Sequence, residues 1–396
     1  MKGQHDVVIV GGARTPIAEF GGSLKHVPPT QLAATVLQES VKRAGVTPDQ
    51  VSQVVFGNVI HTEPQDMYLS RVAALKGGLP NSACALTLNR LCGSGLQAII
   101  TAGSYIRLGE AEAAVGGGAE CMSRAPYWLP TARWGQRMGD GGMVDAIVGA
   151  LTDPFDRCHM GITAENVAEN WGISRDAQDA LALASHKRAS AAIEAGHFTE
   201  QIVPVSIKTR NGEILSDTDE GPRADISAGQ LSAMRPVFKQ DNGTVTAGNA
   251  SSINDGAAAV IMMSAAAAER AGVKSLARLV GASLAAVDPK YMGIGPVPAI
   301  QRLLEQTGVN AGDIDVWEIN EAFAAQALAV VKELELDPVR VNPNGSGISL
   351  GHPIGATGAN LTVKALAELQ RTSARYAVIS MCIGGGQGIA ALIERT

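Results

Sequence analysis

The chain repeats itself, and that constrains its fold more than any other feature. In the first half a strand-like run ends in Gly57-Asn58. Leu91-Cys92-Gly93-Ser94-Gly95 follows, then a helical stretch, a second strand and Gly116-Gly117-Gly118. In the second half a strand ends in Ile319-Asn320, followed by Leu350-Gly351-His352-Pro353, a helical stretch, a strand and Gly384-Gly385-Gly386. Asn58 and Cys92 lie 34 positions apart, and Asn320 and His352 lie 32 apart. Chance recurrence among glycine-rich turns does not preserve both order and spacing, so a duplicated unit is the simplest explanation. Duplication predicts Cys92 and His352 at equivalent points, each opening a helix, facing each other across a pseudo-two-fold axis. Residues 122–250 have no counterpart. They read as a loop domain inserted over the site, leaving 1–121 with 251–275 as one half and 276–396 as the other.

Short apolar strands alternate with helical stretches, which indicates an α/β fold. Strand candidates are Val7–Val10, Val54–Gly57, Ala113–Gly116, Ala258–Met263, Asp315–Ile319 and Tyr376–Met381. A helix is expected from about Arg175 to Ala195, with Ser174 as its N-cap and Gly196 as its stop. Aromatics make up only 4% of residues, so the core must be Ala, Val, Leu and Ile.

A net charge of −6 argues against non-specific nucleic-acid binding, which needs a basic face. It leaves room for an anionic small molecule held by a few local cations. No apolar run reaches the roughly 18 residues of a membrane helix. The start, Met1-Lys2-Gly3-Gln4-His5-Asp6, is too short and abrupt for a secretory signal, so a soluble cytoplasmic protein is expected. The cysteines are Cys84, Cys92, Cys121, Cys158 and Cys382. An odd count with no CxxC pair speaks against a disulfide framework or a zinc knuckle, and no metal is expected.

Four segments point to chemistry. Cys92 is followed by small residues that admit a large substrate. The apolar series Leu96, Ile99, Ile100 then suggests a buried helix whose N-terminus lowers the thiol pKa and favours thiolate. Alone, the segment fits a buried core cysteine equally well. His352 is wrapped in Asn342-Pro343-Asn344-Gly345-Ser346-Gly347 and Gly351, residues chosen for backbone shape. It suits the base that an activated nucleophile requires. Cys382 leads the turn Cys382-Ile383-Gly384-Gly385-Gly386-Gln387-Gly388, whose N–H groups can face an oxyanion. Asn320 stands at a strand-to-helix turn, as a cap or as the holder of a water. A dinucleotide fold is rejected because no GxGxxG follows the first strand, and a P-loop because no lysine follows Gly384–Gly388.

Together with Gly11-Gly12-Ala13-Arg14-Thr15-Pro16, Gly248-Asn249-Ala250-Ser251 and Asn254-Asp255-Gly256, these segments resemble the thiolase family from end to end. Glu63-Pro64-Gln65-Asp66-Met67-Tyr68 and Met292-Gly293-Ile294-Gly295-Pro296-Val297-Pro298 are similar to its broad-range bacterial β-ketothiolases, which are associated with polyhydroxyalkanoate precursors. The resemblance implies a layered αβαβα fold of two similar halves with an inserted loop domain. It also implies a homotetramer (a dimer of dimers) tied by residues near 125–145. The implied activity is acetyl-CoA C-acyltransferase: condensation of acetyl-CoA with a short acyl-CoA, or thiolysis of a 3-ketoacyl-CoA, by ping-pong kinetics.

By resemblance, His352 takes the proton of Cys92, Cys92 becomes acylated, and Cys382 moves the α-proton of acetyl-CoA. His352 and a water on Asn320 would serve the enolate oxygen. The N–H groups of Cys92 and Gly384 would serve the tetrahedral oxyanion. No metal or redox cofactor is implied, and coenzyme A enters as substrate and product. Ser251 and Arg223 match positions near the pantetheine and adenine. Leu151, Phe238, Ala322 and Phe323 match wall positions, and His159 and Met160 a pair near the thioester. Met160 and Met292 are candidates to limit acyl length. Gln230, where a small hydroxyl residue is expected, and Gly221-Pro222 before Arg223 depart from the pattern. A ketosynthase-like condensing enzyme would show two histidines where this chain has His352 and Cys382. A non-catalytic CoA- or lipid-binding relative would have lost one of the reactive residues.

Overall fold

One order of strand pairing occurs twice in this molecule. The computed structural model describes residues 6–396 except Asn211; residues 1–5, on which the reading against a signal segment rests, lie outside the described residues. The first part carries β1 (Val7–Arg14), β2 (Ala18–Glu19), α1 (Pro29–Ala44), β3 (Val51–Gly57), α2 (Leu69–Lys76), β4 (Cys84–Leu88), α3 (Ser94–Arg107) and β5 (Ala113–Cys121). The middle carries β6 (Tyr127–Trp128), β7 (Val144–Asp145), α4 (Ala146–Ala150), α5 (Met160–Trp171), α6 (Arg175–Glu194), β8 (Val205–Thr209), β9 (Gly212–Ser216) and α7 (Ala228–Ser232). Then come β10 (Asn254–Ser264), α8 (Ala265–Ala271), β11 (Ala277–Ala286), α9 (Pro296–Thr307) and β12 (Val316–Ile319). The chain ends with α10 (Ala324–Glu333), α11 (Gly347–Leu350), α12 (Thr357–Thr372), β13 (Tyr376–Ile383) and β14 (Gln387–Arg395).

The large sheet runs β12-β13-β14-β11-β1-β10-β5-β3-β4, with β2 beside β10. Outward from its centre, β1, β10, β5 and β3 pair antiparallel, antiparallel, parallel. β11, β14, β13 and β12 pair in the same three ways. Within the sheet, the described strands of the two halves pair at Val8↔Arg278 and Ile9↔Ala277. Each half even has a register shift at the same place, Ile9/Gly11 in one and Leu279/Gly281 in the other. The duplication read from sequence is therefore a structural one.

The glycine runs are not its counterparts, however. In the parallel pairs Gly57 faces Gly118 and Ile319 faces Ser380. Equating Asn58 with Asn320 thus equates Glu120 with Cys382. Gly116–Gly118 lies inside β5, where a Cβ on Gly116 would sit 2.6 Å from the Cα of Ile99 in α3. Gly385 and Gly386 form the turn before β14, both at φ +83°. One run lets a helix approach a strand and the other turns the chain, so their similarity in sequence has two separate causes.

The two central helices, α3 and α12, lie between the halves. They are close enough that a Cβ on Gly95 would meet the Ala359 nitrogen at 2.8 Å. Leu96, Ile99 and Ile106 of α3 and Ala359 and Val363 of α12 share a buried cluster with β1, β10 and β13 residues. α1 and α2 cover the outside of the first half through Leu32, Leu37 and Leu69. α9 and α10 cover the second through Ile300, Leu303 and Val330, with Trp317 of β12 buried beneath. This gives helix, sheet, helix, sheet, helix. β6–β7 and β8–β9 form separate two-stranded sheets, so the middle segment adds no strand to the large one. The expected helix is α6, with the Ser174 side chain accepting from the Ala177 N–H. No described helix is long and apolar enough to cross a membrane. No group of three or more His, Cys, Asp or Glu among the described residues is placed to hold a metal.

Candidate active site

The β4–α3 turn, the end of β13 and the loop between α11 and α12 bring Cys92, Cys382 and His352 into one cavity of about 530 Å³. The β4–α3 turn is tight. Leu91 has φ +46°, the Leu91 N–H donates to Asn89 Oδ1 at 2.8 Å, and Ser94 Oγ accepts the Arg90 N–H at 2.8 Å. Gly93 packs closely on the end of β13, where a Cβ would lie 2.6 Å from Ile383 Cδ1. Cys92 therefore projects toward the end of β13, where Cys382 is buried.

His352 does not open a helix as Cys92 nearly does. It lies five residues before α12, in a loop entered through Gly351 at φ +107°. A Cβ on Gly351 would meet Asn254 Cγ at 2.5 Å, and Asn254 Oδ1 instead accepts the His352 N–H at 2.7 Å. The ring is oriented by Thr357, whose Oγ1 lies 2.6 Å from Nδ1 and donates to Pro353 O at 3.0 Å. A hydroxyl with its single proton engaged must accept from Nδ1–H, so Nε2 carries the free lone pair. Asn320 Nδ2 approaches the ring at 3.4 and 3.5 Å, at the long limit of a hydrogen bond.

The expectation that the helix terminus favours a Cys92 thiolate is not met. Burial pushes the thiol up to about 11; the N–H groups of Gly384 and of Cys92 itself pull it down, and the Glu120 carboxylate adds to the rise. Cys382 is pushed up by burial and by Cys92. Burial lowers His352 to about 4. Near neutral pH the site therefore holds a thiol beside a neutral imidazole, so any use of Cys92 as a nucleophile would have to be accompanied by its ionisation.

Leu151, His159, Met160, Arg223, Phe238, Ser251, Met292, Ala322 and Phe323 all line the same cavity as Cys92, His352, Cys382 and Gly384. Asn320 stands behind His352, outside the lining. The His159 ring stacks on Phe238 at 4.7 Å and its Nδ1 accepts the Gly161 N–H at 3.0 Å. Met160 and Met292 cluster with Cys382 and Phe323, and Met160 Cε would lie 3.2 Å from a Cβ on Gly384. The two methionines thus border the space next to the cysteines. Arg223 is exposed and pairs with Glu19 at 3.3 Å. Gln230 is not part of the lining. It completes a capping box with Ser227 at the start of α7.

Three positioning groups had no clear signal in the sequence. Thr357 is one. Asn342, at φ +49°, takes the Ile319 N–H on Oδ1 (2.9 Å) and returns Nδ2 to Ile319 O (2.8 Å), fixing the residue before Asn320. Glu120 is fully buried and accepts from Asn58 Nδ2 (3.0 Å), the Val59 and Ile60 N–H groups (3.0 and 3.1 Å) and the Gly355 N–H (2.9 Å). It ties the first half to the loop that carries His352. The repeat pattern singled out Asn58, but only strand register shows that Glu120 occupies the place of Cys382. A wider groove of about 930 Å³ between α1 and α12 contains no cysteine.

Comparison with known proteins agrees with this geometry. The family model "Thiolase, N-terminal domain" matches residues 7–266, and "Thiolase, C-terminal domain" matches 273–395. The chain is 63% identical over 391 residues to the beta-ketothiolase BktB of Cupriavidus necator, covering 99% of each. It is 48% identical over 393 residues to an acetyl-CoA acetyltransferase of Pseudomonas aeruginosa, covering 99% of this chain and 100% of that one. The crystal structure of Bacillus anthracis acetyl-CoA acetyltransferase superposes with TM-score 0.97 at 49% identity, over 100% of both chains. Human mitochondrial 3-ketoacyl-CoA thiolase in complex with CoA superposes at 0.95 with 42% identity, over 100% of this chain and 99% of that one.

Proposed function

The chain belongs to the thiolase family and is an acyltransferase of acyl-CoA condensation and thiolysis, and from that premise we propose that Cys92 is the residue that carries the acyl group. The observation that carries the assignment is the convergence of two thiols, one oriented imidazole and two backbone N–H groups on one cavity.

In this reading His352 Nε2 takes the Cys92 proton as sulfur attacks the thioester carbonyl. The oxyanion so formed meets the N–H groups of Cys92 and Gly384, the same groups that face the Cys92 sulfur in the free protein. Collapse of the adduct breaks the bond to the CoA sulfur, which leaves with the proton held on His352. An acyl-enzyme remains. In condensation, ionised Cys382 removes a proton from the methyl of a second acetyl-CoA, the enolate carbon attacks the acyl-enzyme carbonyl, and collapse of that adduct breaks its bond to the Cys92 sulfur, which leaves as thiolate. In thiolysis, protonated Cys382 gives its proton to the departing acetyl-CoA enolate. Burial favours the protonated form of Cys382, which is the form thiolysis needs. The enolate oxygen is served by His352 and by a water on Asn320, whose buried Oδ1 has no protein partner. Every step is a proton or acyl transfer and balances without a redox cofactor.

The bound molecule runs from the cysteines outward. Met160 and Met292 limit the acyl end, consistent with short 3-ketoacyl-CoA substrates and with the similarity to a beta-ketothiolase. His159 stands with Met160 near the thioester, Leu151, Phe238, Ser251, Ala322 and Phe323 flank the pantetheine, and Arg223 receives the nucleotide end. Exposed Tyr127, Trp128, Leu129, Trp134 and Met138 support assembly into a tetramer through residues 125–145. Five free cysteines suit the reducing cytoplasm. The test mixes protein with acetoacetyl-CoA and CoA and follows loss of the 3-ketoacyl absorbance. Rapid loss with wild type and almost none with Cys92→Ser supports the assignment. No loss with folded wild type overturns it.

A further inference from the structure

The cavity mouth carries a single charge pair. Among the lining residues, Glu19 and Arg223 are the only ones with a full charge, and Arg223 Nη2 lies 3.3 Å from Glu19 Oε1. The backbone beneath them is fixed. Asp219 pairs with Arg14 at 2.7 Å in full burial and accepts the Ile17 N–H at 2.8 Å. Glu220 accepts the N–H groups of Glu19 and Ser23 at 2.9 and 3.0 Å. The Arg223 N–H donates to His186 Nδ1 at 3.2 Å. The two side chains above this base are 61% exposed for Arg223 and 41% for Glu19. Fixed backbones thus hold two exposed, opposite charges at the entrance.

We propose that Glu19 sets affinity for the nucleotide end of coenzyme A by competing with its phosphates for Arg223. The inference rests on the reading above that the nucleotide reaches Arg223. Guanidinium binds phosphate oxygens as a fork, as it binds a carboxylate, so the two ligands are alternatives for one group. An exposed ion pair is weak and opens readily. Once displaced, the Glu19 carboxylate stays near and repels the polyanion. The pair therefore admits coenzyme A while limiting how tightly product CoA is retained, and it leaves the acyl chemistry untouched.

The experiment compares wild type, Glu19→Gln, Glu19→Lys and Arg223→Ala with acetoacetyl-CoA plus CoA, and with N-acetylcysteamine analogues that lack the nucleotide. Glu19→Gln is expected to lower KM for the CoA substrates about two- to fivefold, the range of an exposed pair. Glu19→Lys lowers it further, kcat moves far less, and the gain fades in about 0.5 M salt. The truncated substrates show no change. An unchanged or raised KM in Glu19→Gln, or an equal change with the truncated substrates, overturns the proposal. Arg223→Ala separates the two levels. A raised KM there with no response to Glu19 changes removes the competition alone, whereas no response to Arg223→Ala removes the nucleotide placement itself.

Discussion

Thr357 Oγ1 lies 2.6 Å from His352 Nδ1 while giving its proton to Pro353 O, and this pair of contacts decides which ring nitrogen is free to act as base. A short, buried hydroxyl at the start of α12 therefore selects the tautomer that faces Cys92 chemistry.

Thr357→Val keeps the shape and removes the acceptor. We expect kcat for thiolysis to fall about 10- to 100-fold, the scale of one buried hydrogen bond lost at a reacting group. KM should change little, and circular dichroism should match wild type. Full activity in a folded variant would show that the hydroxyl does not orient the ring.

The ionisation states make a separate prediction. With the Cys92 thiol raised to about 11, alkylation of the free enzyme by iodoacetamide at Cys92 should climb steadily from pH 7 to beyond pH 9. A plateau reached below pH 7 would mean a resting thiolate–imidazolium pair. Because condensation needs ionised Cys382 and burial opposes that form, its rate should rise with pH more steeply than the rate of thiolysis.

His352 and His186 are both lowered to about 4, so the folded state resists protonating them. A depressed pKa gives stability that is present above the unfolded value near 6.5 and lost as pH falls toward 4. The histidine contribution to the thermal midpoint should therefore drop between pH 6.5 and 4, against the opposite contribution of Glu120, which burial raises to about 8. The drop should be shallower in His352→Asn, and equal slopes would contradict the burial argument.

The acyl end should respond to side-chain volume. Met160→Ala with Met292→Ala opens the space beside the cysteines, and the kcat/KM ratio for 3-ketohexanoyl-CoA over acetoacetyl-CoA should rise about tenfold or more. An unchanged ratio would remove the two methionines from the account of chain length.

The packing of α3 on β5 leaves no space for even one methyl group. Gly116→Ala places a Cβ against the Ile99 backbone, which cannot swing away. We expect a loss of about 1–3 kcal/mol in urea unfolding.

The repeat, the strands and the candidate site residues were legible because they are local patterns. Apolar runs read as strands, Ser174 and Gly196 bounded α6, and the cysteines stood in unusual glycine-rich turns. What the sequence hid depends on register or burial. The pairing Gly57↔Gly118 set against Ile319↔Ser380 places Glu120, not a glycine of the next turn, opposite Cys382 in the repeat. The Cys92 ionisation was misread because a helix terminus is visible in sequence and the burial that outweighs it is not. Asn342 and Thr357 act on their neighbours through side-chain hydrogen bonds that no short motif encodes. The resemblance puts Arg223 near the adenine end of coenzyme A, while its partner Glu19 is distant in sequence and meets it through the Asp219 and Glu220 anchors.

Acylation of Cys92 can be observed by incubating the protein with acetyl-CoA alone, quenching in acid and locating the acetyl group by peptide mass mapping. One acetyl group is expected, on the peptide containing Cys92, released on adding CoA and absent in Cys92→Ser. Acetylation on the Cys382 peptide instead, or none on an enzyme that turns over acetoacetyl-CoA, would contradict Cys92 as the acyl carrier.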